Sequence, residues 1–68
     1  MVTETMVIIA IRQKNWAAAG DLAAQLKESK PEMQLIENAA GIADASPKAA
    51  YLLSLYAGLR WTEMNEVI

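Results

Sequence analysis

Cysteine, histidine and phenylalanine are absent from this chain, and glycine and proline occur only three and two times. Without cysteine there is no disulfide framework and no thiolate to hold a metal. Without histidine the commonest neutral metal ligand and general base are missing as well. Stability must then come from apolar packing, within the fold or between chains. Positive charge is also sparse. Six Lys and Arg stand against eight Asp and Glu, for a net charge of −2. The six cations, Arg12, Lys14, Lys27, Lys30, Lys48 and Arg60, are scattered, whereas a nucleic-acid binder gathers its cations on one face to neutralise phosphates. The longest apolar run, Met6 to Ile11, is far short of the roughly 20 residues of a membrane span. Glu4 just before it has the wrong sign for the start of a signal peptide. These absences predict a cytoplasmic protein with no membrane attachment, no cofactor and no metal.

What the chain does have is alanine and helix punctuation. Hydrophobic residues make up 54% of the 68, but thirteen of them are Ala, which packs helices closely while burying little area. Apolar burial at roughly 25 cal/mol per Å² has to offset roughly 1.5 kcal/mol of ordering per residue. For a single domain of this size the balance lies near zero, and self-association is the expected additional source of stability.

Both prolines sit at helix starts. Ser46-Pro47 reads as an N-cap followed by Pro at the first helical position. Ser29-Lys30-Pro31-Glu32 reads as a capping box, with Ser29 and Glu32 each accepting from the other's backbone N–H. Lys14-Asn15 is the natural break before Trp16, with Asn15 as a cap; should it fail, the first two helices fuse. Apolar residues at steps of three and four mark helices over 16–28 (Trp16, Ala19, Leu22, Ala23, Leu26) and 30–44 (Met33, Ile36, Ala40, Ala43). From Pro47 onward Leu52, Leu55 and Leu59 form one stripe, and Leu53, Tyr56 and Met64 form another. A helix apolar on two sides needs two neighbours. Residues 6–11 are continuous and β-branched, compatible with a buried strand or a buried helix. No second strand exists to pair with them, so helix is expected over 3–14. The predicted fold is a single all-α domain over residues 1–68, a small bundle of four helices built as two helical hairpins. The C-terminal helix, over 47–66, is the longest and is expected to mediate dimerisation.

Few residues suggest chemistry. The neighbouring acids Glu28 and Glu32, Glu32 and Glu37, and Glu63 and Glu66 lie beside no His and no Gly-rich turn, and read as solvated helix faces. Gly20, Gly41 and Gly58 are isolated, so no phosphate-cradling loop exists, and each reads as a point of close helix approach. Ser54 has no neighbouring base and is expected to bond the carbonyl one turn earlier. No catalytic activity is expected.

Two stretches resemble known families. Residues 21–37, DLAAQLKESKPEMQLIE, have the spacing of a helix-turn-helix, which would make Lys30 and Gln34 the DNA contacts. Glu32 and Glu37 oppose phosphate there, and Lys27-Glu28 stand where that motif prefers Gly and an apolar residue. Trp16-Ala17-Ala18-Ala19-Gly20 resembles the opening of a tetratricopeptide repeat, with Ile36 and Ala39 near its second-helix packing positions. The resemblance implies a nested helical hairpin. Glu32 and Asp44 depart from the pattern and residues 47–68 do not repeat it, so no family is assigned. The remaining functional surface is the last helix. Tyr56, Leu59, Arg60, Trp61 and Met64 are expected to form a protein interface, with Arg60 beside Trp61 adding a cation–π or a charge contact at its rim. The expected function is a small non-catalytic interaction module (assembly, adaptor or inhibitor) acting as a homodimer, with DNA reading as the alternative.

Overall fold

The computed structural model describes the backbone of residues 1–66 and the side chains of residues 1–61. Its elements are α1 (Glu4–Arg12), α2 (Trp16–Leu26), α3 (Met33–Ile42) and α4 (Pro47–Glu66). The bundle is all-α, and residues 6–11 are helical.

Local chemistry explains most of the boundaries. Thr3 caps α1 by accepting from the Met6 N–H at 3.4 Å, with Glu4 in the first turn and Arg12 in the last, both favourable to the helix dipole. The chain then reverses at Lys14, whose φ of 58° lies in the left-handed region. The Asn15 N–H donates to the Ala10 carbonyl and the Lys14 N–H to the Ile11 carbonyl, both at 2.9 Å. This is a Schellman closure, in which the left-handed residue lets the last carbonyls of a helix find donors. Asn15 also caps α2, its side chain accepting from the Ala18 N–H at 3.3 Å. Two helices therefore form, separated by Gln13, Lys14 and Asn15. Ser46 caps α4 as the sequence predicts, accepting from the Ala49 N–H at 3.2 Å.

The capping box at Ser29–Glu32 does not form. The Ser29 hydroxyl turns back and donates to the Leu26 carbonyl at 3.2 Å, where it helps to end α2. Glu32 makes no side-chain cap, and α3 starts only at Met33, after tight turns through Lys30, Pro31 and Glu32.

The four helices close a ring, α1 on α2, α2 on α3, α3 on α4 and α4 back on α1, with no diagonal contact among the described residues. The α2–α3 hairpin is the most extensive of these contacts. The body measures 36 × 24 × 17 Å. Its thinness follows from what fills it. Of the thirteen buried hydrophobic residues among those described, seven are alanines: Ala10, Ala19, Ala23, Ala40, Ala43, Ala49 and Ala57. Val7, Ile8, Ile11, Leu26, Met33 and Leu53 supply the bulk. Small side chains let helix axes approach closely, at the expense of apolar area withdrawn from water.

Of the glycines, only Gly20 sits against another helix, where an added Cβ would lie 3.5 Å from that of Ala40. Gly41 and Gly58 have nothing within 4 Å of such a position. Close approach thus explains Gly20 alone.

Candidate functional site

Three surfaces are built well enough to be weighed: a charged cluster at one edge, a groove between α2 and α3, and the outer face of α4.

The cluster is centred on Glu4. Its carboxylate accepts from Arg60 Nη2 at 2.9 Å and Nε at 3.2 Å, from Lys30 Nζ at 3.3 Å, and from the Tyr56 hydroxyl. One side chain thus joins α1, the α2–α3 connection and α4. Burial alone would raise the Glu4 pKa. The hydrogen bonds from Arg60, Tyr56 and Lys30, with the Arg60 charge, outweigh it and hold the group at about 2. Burial and the adjacent carboxylate raise the Tyr56 hydroxyl well above its ordinary value. An anchored, ionised carboxylate fully engaged by donors has no proton to give and is poorly placed to accept one. This cluster is a clasp.

The groove is lined by Trp16, Ala17, Gly20, Asp21 and Glu37, with Ala40, Gly41 and Asp44, and encloses about 380 Å³. It is the cleft between nested helices that the Trp16–Gly20 stretch implies. Glu37 at its wall is already paired with Lys27 at 2.9 Å. No group of acidic side chains able to hold a metal exists among the described residues.

On the outer face of α4 the expected interface separates into two sets. Tyr56 and Trp61 are half-buried against the core, and Arg60 is drawn to Glu4. The cation over Trp61 is Arg12, 5.0 Å from the ring centroid, and not the expected Arg60. Arg12 reaches Trp61 across the α1–α4 contact, a pairing that spacing along one helix does not reveal. Leu59 points outward, 60% exposed, and the side chain of Met64 lies outside the described residues. With Leu59 stand Leu52 at 50%, Leu55 at 46% and Tyr51 at 64%. At 3.6 residues per turn these four lie on the side of α4 opposite Ala49, Leu53 and Ala57. The stripe Leu52, Leu55, Leu59 was legible in the spacing. What was not legible was which of the two stripes faces inward, because α4 is apolar on both. The hydroxyl of Ser54 makes no hydrogen bond to the helix, contrary to expectation, and is exposed.

The residues of the DNA alternative are engaged within the molecule. Lys30 is held by Glu4, and Gln34 donates to Glu37 at 3.3 Å and to Asn38 at 3.0 Å. No described helix is long and apolar enough to cross a membrane. Compared with protein families, curated proteins and solved structures, the chain matches none of them.

Proposed function

We propose that this is a non-catalytic protein–protein interaction module of the cytoplasm, and that its outer α4 face pairs with a second copy to form a homodimer. The observation that carries this reading is an inversion of side-chain size. The core is half alanine by count, while Leu52, Leu55, Leu59 and Tyr51 line the outside of one helix. Single exposed leucines are ordinary on protein surfaces, but a contiguous row along one helix marks a contact site. Adaptor, assembly and inhibitor roles all use such a face.

The magnitude sets the class of complex. Fully burying one leucine is worth about 1.5–3 kcal/mol, and these residues are already about half covered. The gain over two copies has to exceed roughly 4–15 kcal/mol of lost freedom on association. The expected dimer is therefore exchangeable, forming and dissociating in the micromolar to millimolar range. Sedimentation velocity across that range is expected to show mass rising from monomer to dimer. Leu55→Glu places a charge in the row and is expected to abolish the rise while circular dichroism stays helical. A wild-type chain that remains monomeric throughout would overturn the homodimer.

A further inference from the structure

We infer that the two copies pair α4 against α4 in antiparallel orientation; the inference rests on the homodimer reading above. Leu52, Leu55 and Leu59 are spaced four-three-four with their neighbours, as positions a, d and a of a heptad. That spacing keeps a seam turned toward one partner helix. Lys48, exposed and seven residues before Leu55, occupies the preceding seam position.

The seam is therefore different at its two ends. Its beginning carries a lysine and the positive pole of a 20-residue helix dipole. Its far end carries the negative pole, and there the sequence has Glu63 and Glu66. A parallel pair would set Lys48 against Lys48 and positive pole against positive pole. An antiparallel pair sets Leu52 against Leu59, brings Leu55 near the two-fold axis, and delivers each Lys48 to the partner's negative end. At 1.5 Å of rise per residue it also moves the two lysines roughly 20 Å apart. That separation is well beyond the Debye length of about 8 Å at physiological ionic strength, so their repulsion vanishes. The leucine row permits either orientation; the charges select one.

The chain contains no native cysteine, so introduced cysteines report without background. A disulfide requires Cα atoms within about 7 Å. Leu55→Cys is expected to form a covalent dimer on mild oxidation, since that position lies near the axis. A mixture of Lys48→Cys and Glu63→Cys is expected to cross-link several-fold faster than either variant alone. Rapid self-linking of Lys48→Cys would show a parallel pair, overturning the orientation while leaving the dimer intact. If L55C fails to link while sedimentation still reports dimers, the seam is wrong. If L55C fails to link and the wild type sediments as a monomer, the homodimer falls with it. Lys48→Glu adds a second readout. It is expected to weaken the dimer several-fold at low salt, with the loss shrinking as salt rises. An unchanged dimer would contradict the antiparallel arrangement.

Discussion

Glu4 is where three segments meet, and its surroundings make a definite statement about pH. Its folded pKa of about 2 lies below the ordinary value of 4.5. The unfolded chain therefore binds a proton at this site before the folded chain does, as pH falls. The clasp contributes fully above pH 4.5, and its contribution is lost as the pH falls through about 2. A shift of this size corresponds to at most about 3.5 kcal/mol, since one pKa unit is about 1.4. Lys30 and Arg60 are each about two-fifths exposed, and solvent screening brings the expected figure down to about 1–2 kcal/mol. Glu4→Gln should lower the unfolding free energy at neutral pH by that amount and flatten its dependence on pH in the acid range, as measured by urea titration. Lys14 is the other informative single residue. It holds a left-handed conformation with a Cβ, which costs a non-glycine residue roughly 1 kcal/mol. Lys14→Gly relieves that strain while loosening the unfolded chain, and is expected to raise thermal stability by up to about 1 kcal/mol.

Among the elements, the clearest contrast is between two serine–proline starts that look alike in sequence and behave differently. Ser46 is followed directly by Pro47, and its hydroxyl accepts from the Ala49 N–H in the first turn of α4. Ser29 is two residues from Pro31, and that spacing leaves its hydroxyl within reach of the α2 end that precedes it. There the Leu26 carbonyl, which already accepts from the Ser29 and Lys30 N–H groups, takes the hydroxyl as a third donor. Ser46→Ala should cost about 1 kcal/mol, the usual worth of an N-cap. Glu32→Ala, which removes no cap, should change stability by less than about 0.5 kcal/mol. Chemical denaturation of the two variants side by side checks both. Helix existence, the Asn15 break and the Ser46 start were readable because each rests on residues within one turn. The Glu4 clasp and the Arg12–Trp61 stack were not, since their partners are 56 and 49 positions apart. Only packing brings those groups together, and no local pattern announces it.

At the scale of the whole molecule, alanine content told in advance that the core would be meagre, and it is. The two apolar stripes on α4 told that this helix has two faces to cover, but the choice of inner face depends on how α1 and α3 meet it. Leu53 fits between them with 1% exposure, and Ala49 and Ala57 flank it. The face of Ala49, Leu53 and Ala57 goes inside a body only 17 Å thick, and the leucine row is left outside. Residues 21–37 form the tight helix pair that their spacing predicts, with Lys27 paired to Glu37 across it and Lys30 tied back to Glu4.

The closure of the ring has a consequence for the order of events in folding. Three of its four contacts join helices adjacent in sequence, across connections of a few residues. Such contacts form early, because little chain entropy is lost in making them. The α1–α4 contact instead spans nearly the whole sequence and carries the largest loop-closure cost. It is expected to be the last made on folding and the first released on unfolding. Disturbing it should then leave the refolding rate almost unchanged and speed unfolding. In stopped-flow experiments Glu4→Gln should raise the unfolding limb of the chevron with the refolding limb in place. Equal shifts in both limbs would mean instead that the chain ends are already joined at the barrier. On the expected order, the α1–α4 contact that Glu4 fastens governs how long the folded molecule lasts and has almost no part in how fast it forms.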